Sequence, residues 1–233
     1  MNSRLGLRRQ VAIVAKHPFY AEDIRNAIID LEIEIVSSRD IWEIQEHIDG
    51  GAKFDFIFFP HYSKVISEVF LDRNYCIGFH TGDLPVDRGG SPIQYKILRS
   101  EYDTFVSALK LVYEIDAGDV LCFEPISLEH GSIEEILKKI SKIIARMTRS
   151  ILTEKLTPKP QLGSVLTSKR LKSQASELDL ETLNVRGIYD RIRMLDGLDY
   201  PPAHIKVGPY KLVLSNAQLQ DGKLTFSSQL EEK

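Results

Sequence analysis

The sequence predicts an α/β chain: a mainly parallel, Rossmann-like sheet with flanking helices, followed by a small C-terminal α+β module. Three observations carry that expectation. Across the first hundred residues, short apolar runs alternate with stretches whose apolar residues recur at helical spacing, which is how βαβ units read in sequence. The stretch 133–151 holds one long apolar stripe of Ile133, Ile136, Leu137, Ile140, Ile143, Ile144, Met147 and Ile151, suited to docking on a sheet. The last fifty residues then change to one helix and short strands around an Asp221-Gly222 turn signal.

Taken in order, 11–15 is the first buried strand, and Ile24, Ala27, Ile28 and Leu31 mark a helix over 20–31. Residues 33–36 read as a strand, and Ile41, Ile44 and Ile48 as the next helix. Two more buried strands follow at 54–59 and 75–79. A helix over 91–98 has Ser91 to cap its free amides and Pro92 at its first position. Strands at 105–113 and 120–128 flank the loop 114–119, and Ser132 with Glu135 has capping-box spacing ahead of the long helix. Residues 157–176 are polar and basic, with Pro158, Pro160 and Gly163, and read as an extended excursion or linker. A helix over 181–195, with Arg186, Arg191 and Arg193 on a solvated face, precedes strands at 204–207, 211–214 and 223–226. The expected division is a main domain 1–156, the excursion 157–180 and a small module 181–233. About fifty residues do not easily sustain a separate core, so the module leans on the main domain.

The 233 residues are 43% hydrophobic and 27% charged, with net charge −3, enough for a sizeable core and wrong for a chain held by nucleic-acid phosphates. No apolar run reaches membrane-spanning length, and 1–10 does not lead into a signal-peptide core. A soluble cytoplasmic protein acting on a small molecule is expected, with no membrane and no nucleic-acid partner. Cys76 and Cys122 lie in apolar runs and read as buried thiols. His17, His47, His130 and His204 show no ligand spacing, so no metal is expected.

Glycine placement locates the chemistry. The first strand-to-helix turn, 16–20, has no glycine, which disfavours a dinucleotide pyrophosphate there. The loop from His80 to Gln94 is different: it starts at a strand end, finishes at a helix start, and carries His80, Asp83, Asp87 and Arg88 among glycines and prolines. In open α/β sheets ligands bind at such places. The Gly89-Gly90 pair ahead of the helix suits either an anion or plain turn geometry.

His80-x-x-x-Leu84-Pro85-x-x-Arg88-Gly89-x-x-Pro92-Ile93-Gln94, followed by Asp116-Ala-Gly-Asp119, resembles the signature of the formyltetrahydrofolate-dependent formyltransferases. The likeness runs from about 11 to 152. Tyr189 to Leu195 leading to Tyr200-Pro-Pro-Ala203 is similar to the small C-terminal module of the methionyl-tRNA and sugar members. The wording of the His loop looks closest to short nucleotide-sugar N-formyltransferases of the pseudaminic-acid-pathway type. The resemblance implies the formyltransferase fold, with 1–156 as its catalytic domain, and N10-formyltetrahydrofolate as co-substrate. It carries catalytic roles onto His80 and Asp119. The family's Asn, two residues before the His, is here Gly78, which has no side-chain donor; either Thr81 or Gln94 nearby substitutes, or backbone amides serve, or activity is impaired. By the same analogy the pterin lies between the loop 60–65, with Tyr62, Ser63, Lys64 and Val65, and the loop 115–119, with Asp116 and Gly118. His61 in the first loop reads more simply as structural.

The implied acceptor is the amine of a nucleotide-linked amino-dideoxy sugar, with Lys16 and Arg88 toward the diphosphate. Gly89, Gly90 and Gln94 are at the helix start, and Tyr200, with Tyr210, is available for stacking. The resemblance also implies a homodimer. Three alternatives stay open: methionyl-tRNA, another small amine such as a hydroxylated ornithine, and a non-catalytic relative that only binds folate or a sugar nucleotide. The mild acidity favours the sugar over tRNA, the only basic cluster being 157–172.

Overall fold

The computed structural model describes residues 9–171, 176–197 and 199–232. Its elements in chain order are β1 (Arg9–Val14), α1 (Pro18–Ala27), β2 (Ile33–Ser38), α2 (Ile41–Asp49), β3 (Phe56–Phe59), α3 (Glu68–Arg73), β4 (Cys76–Thr81), β5 (Arg88–Gly89), α4 (Pro92–Leu98), β6 (Asp103–Lys110), β7 (Val120–Ser127), α5 (Ile133–Thr153), β8 (Thr167–Ser168), α6 (Val185–Arg193), β9 (His204–Val207), β10 (Tyr210–Gln220) and β11 (Lys223–Glu232).

Six strands form one sheet in the order β2-β1-β3-β4-β6-β7. The first four are parallel. Val11, Ala12, Ile13, Val14, Ile57, Phe58 and Ile77 are fully buried, as strands covered on both faces must be. β6 breaks the pattern by pairing antiparallel to β4, with His80 opposite Ser107 and Thr81 opposite Val106. The reason lies in the connection. The chain re-enters beside the end it left, where Gly82 N–H donates to Phe105 O at 2.9 Å.

Local signals account for the helix starts. Pro18 opens α1, Asp40 accepts from Trp42 N–H at α2, and Ser67 accepts from Phe70 N–H at α3. The capping box forms as spaced: Ser132 N–H donates to Glu135 at 2.8 Å, and Glu135 N–H to Ser132 Oγ at 3.3 Å. At α4 the expected Ser91 cap does not form. Ser91 is left-handed (φ 57°) and has no cap bond; its Oγ accepts from Leu171 N–H at 3.0 Å.

The described residues of Met1–Arg88, Phe105–Pro125 and Ile140–Leu166 form one compact unit, and those of Gly89–Thr104, Ile126–Lys139 and Thr167–Lys233 another. β7 and α5 each contribute residues to both units. In the first unit α5 is fastened to α1. Ser141 Oγ donates to Asp23 at 2.6 Å, and Arg149 donates to Ala27 O and to Asp30.

In the second unit β9, β10 and β11 form an antiparallel sheet in the order β11-β10-β9. Asp221 (φ 50°) and Gly222 (φ 73°) make the tight turn between β10 and β11, the left-handed pair such a hairpin requires. α6 is not the solvated helix its arginines suggest. Asp190 accepts from Tyr102 Oη at 2.7 Å, Arg186 Nε at 3.0 Å and Arg193 Nε at 2.7 Å. The guanidinium of Arg193 is 1% exposed and lies over the Tyr102 and Tyr189 rings. An Asp at helical spacing supplies the counter-charge that lets an arginine turn inward.

Cys76 is buried in the cluster with Ile44, Ile57 and Phe70, and Cys122 is half-buried. No helix among the described residues is long and apolar enough to cross a membrane.

Candidate active site

The first unit carries a buried imidazole at the carboxyl end of β4. His80, 6% exposed, sets Nε2 at 2.7 Å from Asp87 O. A carbonyl only accepts, so Nε2 holds the hydrogen in that bond. Nδ1 then faces the carboxylate of Asp116 at 3.3 Å. In the neutral ring Nδ1 is a lone pair; once protonated it is a second donor, aimed at an anion. This geometry accepts a proton at one defined atom and stabilises the resulting cation.

Each partner is fixed by its own loop. Asp83 O accepts from Val86 and Asp87 N–H, while Asp87 Oδ2 accepts from Asp83 N–H at 3.0 Å. The loop folds so tightly onto the ring that a Cβ on Gly82 would lie 3.0 Å from His80 Nε2. Opposite it, Lys110 N–H donates to Asp119 O at 2.9 Å and pinches residues 111–118 into a closed loop. At that pinch a Cβ on Gly118 would stand 1.6 Å from Lys110 O, so only glycine passes. Asp116 itself is left-handed, φ 54°, a conformation that costs a non-glycine residue roughly 1 kcal/mol or more.

What holds it there is Gln161. Its Nε2 donates to Asp116 O at 2.7 Å and to Gly118 O at 2.8 Å. Its Oε1 accepts from Arg88 Nε and a terminal nitrogen at 3.1 and 3.0 Å, and Arg88 also donates to Glu114 at 3.0 Å. The residues around Gln161 form a strap, not a free linker. Val120 and Lys159 exchange backbone bonds at 2.9 Å, and Arg88 N–H donates to Leu166 O at 3.1 Å.

A structure described as methionyl-tRNA formyltransferase from Clostridium thermocellum is 32% identical to this chain, with TM-score 0.86 over 97% of this chain and 100% of that one. This chain belongs to the formyltransferase family. The family model described as "Methionyl-tRNA formyltransferase, C-terminal domain" matches residues 173–229. A methionyl-tRNA formyltransferase of Campylobacter curvus is 28% identical over 170 residues, 72% of this chain and 56% of its own length. The 4-N formyltransferase from Francisella tularensis shares the fold, with TM-score 0.68 and 17% identity over 97% of this chain and 98% of that one. This chain spans between 34% and 56% of the length of the first curated relatives it matches.

The residues singled out by the formyltransferase signature have these surroundings in the structure. The carboxylate beside His80 is that of Asp116. Asp119, expected in that role, is exposed and contributes its backbone carbonyl to the pinch. The left-handed turn at Asp116 brings its side chain back toward β4, a reversal that spacing does not reveal. Arg88, expected at a diphosphate, has its guanidinium engaged by Gln161 and Glu114. Lys64 pairs with Asp40 at 2.6 Å, which lowers the Asp40 carboxyl and raises the lysine. Ser63 and Val65 are exposed, whereas Tyr62 packs edge-on to Phe59 with its hydroxyl buried and without a hydrogen-bond partner. His61 stacks on Tyr20 at 5.9 Å, consistent with the structural reading.

The position of the family Asn is filled. A Cβ on Gly78 would lie 2.5 Å from Leu111 Cδ2. Thr81 does not substitute, since successive strand residues face opposite sides of the sheet and Gly78 and His80 share a face that Thr81 does not. Leu111 also lines a cavity of about 470 Å³ with Leu71, Asp72, Tyr75, Lys110 and Tyr113. Lys16 is exposed on the turn after β1.

In the second unit Gly89 and Gly90 lie against the backbone of Ser168 and Arg170, leaving 2.4 and 2.8 Å for a Cβ. They are close-approach glycines, not an anion cradle. Gln94 is buried with Nε2 unpaired, Tyr200 is half-buried and Tyr210 is 41% exposed. Gln161 and Leu111 were not legible as site residues. The first acts on carbonyls, which sequence does not mark, and the second reads as one more strand apolar residue.

Proposed function

We propose that this chain transfers the formyl group of N10-formyltetrahydrofolate to the amine of a nucleotide-linked amino-dideoxy sugar, UDP- or dTDP-bound, for example a 4-amino-4,6-dideoxy sugar, in surface-glycan synthesis. The observation that carries the reading is the buried His80 with Nδ1 facing Asp116 at 3.3 Å. N10-formyltetrahydrofolate, as co-substrate, supplies the formyl carbon. The proton that the attacking amine loses passes to the His80–Asp116 pair through the Asp116 carboxylate and settles on Nδ1, where Asp116 holds the cation so formed, and the Asp87 carbonyl keeps the ring from rotating. The same pair returns the proton to the leaving nitrogen.

For the folate, the buried Tyr62 hydroxyl, which has no hydrogen-bond partner and follows the carboxyl end of β3, fits a polar heterocycle. The carbonyls of Asp116 and Gly118 are already used by Gln161, which leaves the rest of 112–117 to read its edge. Gly78 and Leu111 offer no side-chain donor to the oxyanion, and losing such a donor commonly costs ~3–4 kcal/mol. Slow turnover is therefore part of the proposal.

The relatives' names support a second reading, methionyl-tRNA formylation. Charge argues against it. Residues 176–232 hold six Lys and Arg against nine Asp and Glu, and Arg186, Arg193 and Lys206 are paired internally. Little is left for phosphates. A homodimer in the cytoplasm completes the proposal, supported by β11, an exposed edge strand bearing Phe226 and Leu230.

The test is a panel of nucleotide-linked amino sugars and charged initiator tRNA, each incubated with N10-formyltetrahydrofolate and read by mass for one added formyl group. A sugar should gain it. His80→Asn and Asp116→Asn should abolish the gain, while Asp119→Asn keeps most of it. Formylation of the tRNA alone would establish the second reading, and no product in any arm would favour a binding relative.

A further inference from the structure

We infer that Gln161 is a positioning residue for the His80–Asp116 pair, acting through the backbone of the loop that carries Asp116. The inference rests on the formyl-transfer reading but has its own readout. Three chain segments meet at this amide: the end of the His loop at Arg88, the loop 114–118, and the strap. Both amide hydrogens are used on Asp116 O and Gly118 O, and the amide oxygen takes two guanidinium donors.

The bonds to the two carbonyls bracket Ala117 and fix the peptide orientation on either side of it. They therefore favour the left-handed turn that Asp116 adopts at φ 54°. An Asp in the ordinary right-handed or extended region would aim its carboxylate elsewhere. The His80 side of the pair is fixed by Asp87 O. Gln161 bears on the carboxylate through Asp116 O and on the end of the His loop through Arg88. Nothing in this arrangement needs Gln161 to touch a substrate, which separates positioning from catalysis. A glutamine is also the right residue: it is one neutral group that donates to two carbonyls while accepting from a cation.

Two full-chain variants test this. Gln161→Glu keeps an oxygen for Arg88 but sets a second oxygen against the Asp116 and Gly118 carbonyls. Gln161→Met removes all four bonds at similar volume. Each is first shown to be folded by circular dichroism. The ring ¹⁵N and ¹H correlations of His80 are then recorded without substrate, and kcat and KM are measured with the sugar found active. Positioning predicts shifted His80 ring signals in both variants. It also predicts kcat reduced about 10- to 100-fold, with KM for both substrates changed by no more than about twofold.

Folded variants with wild-type His80 signals and wild-type kcat overturn the inference. So does a loss expressed in KM alone, which would make Gln161 a binding residue. If neither variant folds, the contacts are a folding element and the inference fails. Shifted His80 signals in a chain whose wild type formylates nothing would uphold the positioning and overturn the formyl-transfer reading.

Discussion

Gly78 and Leu111 form a complementary pair, since the side chain that one lacks is replaced in space by the other's Cδ2 at 2.5 Å from the notional Cβ. An amide can be restored at this position only if the leucine side chain shifts or is shortened. Gly78→Asn alone should be destabilised, because overpacking a filled site costs typically 1–3 kcal/mol. Gly78→Asn with Leu111→Ala should fold near wild type and raise kcat, measured by single-turnover formyl transfer, toward the ~100-fold or more that one oxyanion donor supplies. A double variant that folds and is no faster would mean that backbone groups already fill the role. A second residue-scale consequence concerns alkali. Burial pushes the Cys76 thiol from its ordinary 9.0 up to about 12, and burial with nearby Glu124 pushes Cys122 up to about 11. The folded state keeps protons that the unfolded state loses, so stability is intact below pH 9 and falls as pH rises toward 12. The slope is up to ~1.4 kcal/mol per pH unit for Cys76. Urea unfolding at pH 8 and 10.5 should show that loss in the wild type and a smaller one in Cys76→Ala.

Among the elements, α6 draws its hold on the second unit from a charge cluster, with one carboxylate, Asp190, serving two guanidiniums and a phenol. Arg193 is 1% exposed and Arg186 31%. Asp190→Asn therefore leaves one guanidinium buried without its counter-charge and should cost about 3–5 kcal/mol. Arg186→Ala, which removes a partly solvated partner, should cost about 1 kcal/mol or less. Chemical denaturation of the two variants should separate these values, and equal costs would show that burial does not govern the cluster. The same contrast explains what the sequence made legible. Strands buried on both faces announce themselves as apolar runs, and the Ser132–Glu135 box and Asp221-Gly222 turn formed where spacing placed them. α3 was not foreseen, because six residues give too little period to read. The strap reads in sequence as an extended excursion or linker because its contacts are backbone carbonyls and a single glutamine, neither of which leaves a compositional trace. His80 was legible from its loop, but its partner was not: two aspartates three residues apart look alike until the left-handed turn at Asp116 selects one.

At the scale of the whole molecule, charge separates the two acceptors. An acceptor held by many phosphates releases many counterions, so its affinity falls steeply with salt; six to ten contacts lose about 1000-fold or more between 50 and 200 mM. The C-terminal module, where the family model matches, carries more carboxylates than cations, with Arg193 buried and Arg186 partly buried against Asp190 and Lys206 paired with Glu177 at the surface. Such a surface repels a polyanion more than it gathers one. A nucleotide sugar presents only a diphosphate and needs one or two cations. The acceptor KM should accordingly rise by no more than about tenfold over that salt range, measured by initial rates at fixed folate. A steep rise would restore the tRNA reading, because it would require a basic surface elsewhere on the chain, such as the cations of 138–149 or 157–172.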